Sequence, residues 1–250
     1  MDKLIVSSSP HIKDKATTSR IMLDVIIALM PTAVLSVYYF SYISALIIVA
    51  SVSSCVLFEY LFNLITKKRH TETDLSCVVT GLILAMNMPP LKSSIILSVI
   101  GAFIAIVVIK MLFGGIGQNI FNPAAAARIF LTTAFSSLMT VYVAPLTDGV
   151  TAATPLAIPK GEMLPSYLDL FLGKTPGSLG ETAAVTLIAG GIYLMIRKVI
   201  SWEIPAIYIG TVALLSFTFG QDPLYSILAG GLILGSIYMA TDYTTSPVTR

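Results

Sequence analysis

The chain has 250 residues, of which 56% are hydrophobic and only 11% are charged, and its formal net charge is +2. Soluble domains carry about a quarter charged residues, so this composition excludes an ordinary soluble fold. The small positive charge gives no support for nucleic-acid binding. Apolar runs of about 20 residues, long enough to cross the hydrocarbon core of a bilayer as a helix, recur along the chain. The sequence therefore predicts an all-α, polytopic transmembrane helix bundle.

The chain begins with a polar segment, residues 1–20, which lacks an apolar stretch followed by a small-residue cleavage site. We expect no removable signal peptide, and we assign residues 21–250 to one transmembrane domain. Eight apolar spans follow in chain order: Ile21–Phe40, Ile43–Ile65, Leu75–Met88, Ser94–Leu112, Ala124–Val143, Thr182–Ile196, Ile204–Phe219 and Leu224–Ala240.

The basic residues between the spans are distributed unevenly. With the N-terminus in the cytoplasm, eleven lysines and arginines, Lys110 among them, fall in cytoplasmic segments and three in outer ones. Arg128, inside the fifth span, is left out of this count. Because positively charged short loops resist translocation, the asymmetry predicts a cytoplasmic N-terminus and an outer loop over residues 144–181.

The third and eighth spans resemble each other. The third contains Thr80-Gly81-Leu82-Ile83-Leu84-Ala85, the eighth contains Gly230-Gly231-Leu232-Ile233-Leu234-Gly235, and an aspartate, Asp74 or Asp222, precedes each. Two copies five spans apart cross the membrane in opposite directions, which predicts inverted five-helix repeats. On this interpretation eight of ten helices are present and the final two are missing.

Both of these spans end in polar residues. The third ends at Asn87, before two prolines, and the eighth runs into Thr241-Asp242-Tyr243. Interrupted spans at matching positions in two halves point to a binding site near the membrane interior. Proline and polar residues also end helices without any such role, so both interpretations stay open.

Ionisable side chains inside spans are costly and commonly functional. The ionisable residues inside spans are Asp24, Glu59 and Arg128, with Asp242 near an end. Asp24, Glu59 and Asp242 are candidates for an ion path, although Asp24 and Glu59 could instead lie at an interface and be solvated. Cys55 and Cys77 fall in apolar segments without a Cys-x-x-Cys pair, which predicts packing residues. His11 and His70 have no partners at metal-ligand spacing, and we expect no metal site.

Three stretches carry a resemblance to a known family. They are Ser9-Pro10-His11 with the first span that follows it, Gly114-Gly115-Ile116-Gly117-Gln118-Asn119-Ile120-Phe121-Asn122-Pro123-Ala124, and Met239-Ala240-Thr241-Asp242-Tyr243-Thr244-Thr245-Ser246-Pro247. They resemble the start of the first helix, the loop into the fifth helix and the end of the eighth helix in the RnfD/NqrB family. That family comprises the D subunits of bacterial Rnf electron-transport complexes and the B subunits of sodium-pumping quinone reductases. The resemblance covers the whole chain, and the chain's brevity fits the Rnf members better.

A fourth stretch, Asp148-Gly149-Val150-Thr151-Ala152-Ala153-Thr154-Pro155, is similar to the family's flavin-attachment motif. The resemblance implies FMN joined to Thr154 through a phosphoester. Asp148-Gly149 is a turn signal, and Pro155 biases Thr154 toward extended backbone. Without the resemblance these residues would fit a plain surface turn. Thr151 and Ala152 stand where serine and glycine are common in the family.

The glycine-rich stretch before the fifth span does not fit a dinucleotide-binding fingerprint. Ile120 replaces the third glycine and no strand precedes it. Asn119 and Asn122 could bond either to freed backbone carbonyls or to a bound flavin.

The resemblance implies a multi-pass subunit of the bacterial cell membrane in a complex that couples ferredoxin:NAD⁺ electron transfer to Na⁺ or H⁺ translocation. This chain would hold covalent FMN outside and a second, noncovalent flavin such as riboflavin within the bundle, and would not be catalytic alone. Its partners would be Rnf subunits A, B, C, E and G, a flavin transferase and the lipid bilayer. Two alternatives remain, a small-solute or ion transporter or channel and a purely structural anchor subunit.

Overall fold

A computed structural model gives the fold of the chain. It describes residues 17–67, 74–147, 150–158, 164–181, 184–243 and 245–246. Within these ranges the regular structure is helical except for one pair of two-residue strands. The protein is an all-α polytopic membrane bundle, as its composition predicts.

Three helices of the described chain are long and apolar enough to cross a membrane. They are α1 (Thr18–Phe40), α2 (Tyr42–Thr66) and α4 (Ser93–Phe103), which continues as a π-helix over Ile104–Met111. Their mean hydropathies are 2.1, 2.1 and 2.5. These helices confirm the first, second and fourth predicted spans, with bounds that move by a few residues.

Three shorter apolar helices correspond to the third, sixth and seventh predicted spans. They are α3 (Ser76–Met86), α8 (Ala184–Ile196) and α9 (Glu203–Thr218). At 1.5 Å per residue, α3 rises only about 16 Å, roughly half of the hydrocarbon core. It ends where the Asn87 side chain donates a hydrogen bond to the Ile83 carbonyl at 2.7 Å. The short third span is therefore confirmed.

The predicted end of the fifth span at Val143 is wrong. Asn122 caps α5 (Pro123–Ala134) by accepting two backbone N–H bonds, and proline occupies the first helical position. The helix breaks at Phe135, and one short turn, α6 (Ser136–Met139), follows it. Val143 lies in a strand instead, because a short apolar run fits a strand as well as the end of a helix.

The eighth span, predicted as one piece over Leu224–Ala240, is broken in the middle. It consists of α10 (Pro223–Leu228) and α11 (Leu232–Leu234), and α11 continues as a π-turn over Gly235–Met239. The break contains Gly230, whose φ of +77° favours glycine. When the two Leu-Ile-Leu motifs are aligned, this break faces an uninterrupted part of α3. The break is thus an unpredicted feature, and the inverted repeat stays a prediction.

The described residues between α6 and α8 lie at one end of the bundle, which we call the loop end. Its elements are β1 (Tyr142–Val143), the antiparallel β2 (Thr151–Ala152), a 3-10 turn (Pro155–Ala157) and α7 (Tyr167–Leu172). Tyr39, near the end of α1, accepts a backbone hydrogen bond from Leu146 and donates its hydroxyl to the Leu172 carbonyl, both at 2.9 Å. These contacts tie the loop to α1.

The core is centred on α3, which is buried along nearly its whole length. Ser51 of α2 donates to the Gly81 carbonyl at 2.7 Å, and a Cβ at Gly81 would lie 2.8 Å from the Val52 Cα. The backbones of α2 and α3 can approach this closely only because residue 81 has no side chain. The opposite end of the bundle, where α1 begins, encloses a cavity, and we call it the cavity end.

Candidate functional site

Thr154 lies at the loop end, between β2 and the 3-10 turn, which begins at the next residue. Its backbone is extended, with φ −66° and ψ 155°, which confirms the bias predicted from Pro155. The residue is half-buried, and its side chain does not cap the turn that follows. A hydroxyl in this setting can be reached from outside the bundle.

The backbone around Thr154 is held against the eighth span. The Tyr225 hydroxyl donates to the carbonyl of the buried Pro155 at 3.0 Å. Leu156 lies over the helix break, because a Cβ on Gly230 would come within 2.8 Å of the Leu156 Cδ1 atom. We call residues 151–157 the attachment segment. The attachment segment packs on the break between α10 and α11, residues 229–231, and we call this break the seat.

The other predicted motif residues have mixed outcomes. Thr151 is exposed and pairs with Val143 across the two strands. Asp148 and Gly149 lie outside the described residues, as do Ser9-Pro10-His11 and His70. Their predicted roles therefore stay predictions.

A cavity of about 540 Å³ opens at the cavity end. The starts of α1, α3 and α5 meet there with the ends of α8 and of both π-helical stretches, and most of the lining is apolar. Its polar lining residues include Ser76, Thr80, Lys110, Asn119, Asn122 and Asp242. The volume and the few polar groups on an apolar wall are typical of small-molecule sites.

Asn119 and Asn122 both line this cavity and both donate to backbone carbonyls. Asn119 bonds to the Phe121 carbonyl at 3.0 Å, and Asn122 bonds to the Met239 carbonyl at 3.2 Å. These contacts fit the interpretation that the two asparagines bond to backbone carbonyls, and their contact with a flavin stays a prediction. The loop end carries Thr154, so these asparagines belong to a different site from the attachment segment.

Asp24 is buried and joins α1 to α8. Its carboxylate accepts bonds from the Arg197 guanidinium at 3.1 to 3.3 Å and from the Tyr193 hydroxyl at 3.0 Å. The interpretation that Asp24 is solvated at an interface is wrong, since only 7% of the residue is exposed. These contacts account for Asp24 as a clamp between helices, and its place in an ion path stays a prediction.

Glu59 is fully buried, so the solvated interpretation is wrong for it as well. Its carboxylate lies 2.6 Å from the Lys110 ammonium, which also donates to the Ser76 hydroxyl at 2.7 Å. The assignment of Lys110 to a cytoplasmic loop is therefore wrong. Without it the basic count falls from eleven to ten against three, and the asymmetry remains.

Three further predicted residues can be placed directly. Asp242 is half-buried and lines the cavity. Cys55 and Cys77 are free thiols with no exposed surface, which confirms them as packing residues.

Sequence reasoning misses Lys110 and Tyr225, and it names Arg128 only as an ionisable residue inside a span. Arg128 is left out of the charge count, yet it donates to the Asn87 carbonyl at the end of α3 and to the Tyr142 hydroxyl. Lys110 could have been found from its position inside an apolar span. A buried lysine needs an anionic partner, and Glu59 is the carboxylate in a neighbouring span. No local pattern marks Tyr225, because its partner is 70 residues away.

Comparison with known proteins identifies the family. The profile of the NQR2, RnfD, RnfE family matches residues 5–250. The chain belongs to this family. It is 46% identical over 253 residues to the D subunit of the Na(+)-translocating ferredoxin:NAD(+) oxidoreductase complex of Acetobacterium woodii, covering 98% of this chain and 79% of that relative.

Two further relatives of the family carry related names. The D subunit of the proton-translocating ferredoxin:NAD(+) oxidoreductase complex of Clostridium ljungdahlii is 39% identical, over 98% of this chain and 80% of the relative. The D subunit of the ion-translocating oxidoreductase complex of Methanosarcina acetivorans is 33% identical, over 100% and 80%. The resemblance to the D subunits of Rnf complexes is therefore confirmed.

Proposed function

We propose that this chain is the D subunit of a bacterial Rnf-type complex that couples ferredoxin:NAD⁺ electron transfer to Na⁺ or H⁺ translocation. The names of the relatives and the polytopic helix bundle support this proposal. Its partners would be subunits A, B, C, E and G of the complex. The relative named for sodium is 46% identical to this chain and the one named for protons 39%, and their names leave the transported ion open.

We further propose that Thr154 carries FMN as a phosphoester, attached by a flavin transferase. The observation that carries this proposal is the presentation of Thr154, an accessible hydroxyl on extended backbone that Tyr225 and Leu156 hold against the bundle. The hydroxyl oxygen would hold the phosphate, and the seat would keep the ring beside the membrane surface. The flavin supplies the one- and two-electron chemistry.

The cavity would hold the second, noncovalent flavin. Its volume of about 540 Å³ suits a ligand of that class, and apolar walls with polar groups from Asn119, Asn122, Lys110 and Ser76 would orient a planar ring with a polar edge. The chain's own contribution would be to exclude water from the ring and to fix its orientation.

The proposed orientation has the N-terminus in the cytoplasm and the attachment segment outside. The excess of basic residues on the cytoplasmic side, ten against three without Lys110, supports it. A flavin transferase acting on the outer face would then reach Thr154.

Intact-mass spectrometry of the chain, co-expressed with a flavin transferase, tests the attachment. Wild type is expected to gain one FMN, and Thr154→Ala is expected to gain none. Thr147→Ala is the matched control, because Thr147 is an exposed hydroxyl residue of the same loop and lies outside the attachment motif. An unmodified wild type, or a modified Thr154→Ala variant, would overturn the proposal. An unmodified chain that conducts a small solute would favour a transporter.

A further inference from the structure

A buried ion pair stands beside the cavity. The Lys110 ammonium and the Glu59 carboxylate are 2.6 Å apart, and their side chains are 4% and 0% exposed. Burial of two charges is costly, and such pairs add little stability compared with apolar residues of similar size. Charged groups at this depth in a membrane protein usually have a function.

The two charges do not face the cavity equally. Lys110 and Ser76 line it, whereas Glu59 is not among the lining residues. Lys110 is therefore the member of the pair that lies next to whatever occupies the cavity, and Glu59 lies farther from it. Lys110 lies in the π-helical stretch that continues α4, and π-helical turns are frequent at functional sites.

We propose that Lys110, fixed by Glu59 and Ser76, raises the reduction potential of the flavin bound in this cavity. The inference rests on the proposed function, in which the cavity holds a noncovalent flavin. A flavin gains negative charge when it takes up electrons, so a fixed cation beside it favours the reduced form. Charge placed near the ring nitrogens is a principal means by which proteins tune this cofactor.

A structural role and an electrostatic role of Lys110 predict different changes in the affinities for oxidised and reduced flavin. If Lys110 only supported the cavity wall, its removal would weaken binding of oxidised and reduced flavin equally. If it acts through charge, the affinity for the reduced form falls more than that for the oxidised form. The midpoint potential reports the ratio of these two affinities.

The experiment uses the full chain in nanodiscs, in a Thr154→Ala background that carries no covalent flavin. Riboflavin is the probe, dithionite supplies the electrons, and the midpoint potential is measured by spectroelectrochemistry. Lys110→Met combined with Glu59→Gln removes both charges of the pair. The affinity ratio is expected to shift at least tenfold against the reduced form, which lowers the potential by about 59 mV for a one-electron couple.

Two control variants make the test specific. Asp24→Asn combined with Arg197→Gln removes another ion pair, neither of whose residues lines the cavity, and is expected to leave the potential unchanged. Lys110→Arg keeps the positive charge and is expected to restore most of the potential lost in the neutral double variant.

The outcomes are distinguishable. Riboflavin binding with an unchanged potential in the neutral double variant would overturn the role of Lys110 and leave the cavity assignment standing. Failure of the Thr154→Ala background to bind riboflavin at all would overturn both. A potential that falls equally in the Asp24 and Arg197 control would also overturn the role of Lys110.

Discussion

At the loop end, residues adjacent in the chain set the extended backbone of Thr154, whereas at the cavity end Lys110, Glu59 and Ser76 meet from three different helices. The attachment segment is half-exposed, and a few contacts hold it. The ion pair is almost fully buried, and its two charged atoms lie 2.6 Å apart. Substitutions at the loop end should therefore change the local mobility of the attachment segment with little loss of stability. Loss of one charge at the cavity end should lower the stability of the whole protein.

The largest expected effect is at the cavity end. Lys110→Met alone removes the ammonium that lies 2.6 Å from the buried Glu59 carboxylate, which we expect to destabilise the protein by about 3–5 kcal/mol. Thermal unfolding in nanodiscs measures this loss. Adding Glu59→Gln should restore most of the stability. A single variant as stable as the double would show that the two residues are not coupled.

Gly230→Ala should have a smaller effect, centred on the attachment segment. Residue 230 has positive φ, and the new Cβ would meet Leu156, so we expect a cost of about 1–2 kcal/mol. Hydrogen exchange of residues 151–157 should accelerate. Gly210→Ala, in α9 with no atom near its Cβ position, should leave that exchange rate unchanged. Equal exchange rates at residues 151–157 in the two variants would show that the contact with Gly230 does not hold the attachment segment.

Tyr225→Phe should loosen the same segment less. It removes one hydrogen bond to the Pro155 carbonyl, a loss of about 1 kcal/mol. Exchange at residues 155–157 is expected to rise above wild type and stay below Gly230→Ala. The exposed tyrosine Tyr208 of α9 offers a control, since Tyr208→Phe should change nothing at the loop end. Faster exchange in Tyr225→Phe than in Gly230→Ala would contradict this ranking.

The smallest effect concerns acid pH at the loop end. A hydrogen bond from the Tyr167 hydroxyl lowers the pKa of Asp222, the cap of α10, below its ordinary value of 3.8. The pKa of Asp222 is lower in the folded protein than in the unfolded chain. The hydrogen bond therefore contributes to stability above pH 3.8, and this contribution is lost as the pH falls through the folded pKa. Tyr167→Phe should bring the pKa of Asp222 closer to 3.8, as NMR titration of the carboxyl can measure. An unchanged pKa would contradict this assignment.

Much of the fold follows from local patterns. Apolar length predicts α1, α2 and α4, Asn87 and the prolines after it predict the early end of α3, and Pro155 predicts the backbone of Thr154. Each of these features depends on residues within a few positions of one another. The family resemblance adds the chemistry proposed for Thr154, which the residues alone would leave as a surface turn.

The remaining features depend on which helices are neighbours. The pairing of Glu59 with Lys110 requires α2 to pack beside the end of α4, and the spans alone do not specify that contact. Gly230 lies in an apolar run whose repeat motif predicts a continuous helix, and its contact with Leu156 joins residues that are far apart in the chain. Hydropathy predicts a helix at Val143 because it does not distinguish a buried strand from a helix end.

The interruption of the eighth span also determines how far the attachment segment lies from the cavity along this span. The helical stretch after it covers residues 232–239, which comprise three α-helical and five π-helical residues. It starts beside the seat of Leu156 and ends at the carbonyl that binds Asn122 on the cavity wall. Eight residues rise about 12 Å, well under half of a bilayer's hydrocarbon thickness. A charge travelling between the attachment segment and the cavity along this route would cross a layer much thinner than the membrane itself.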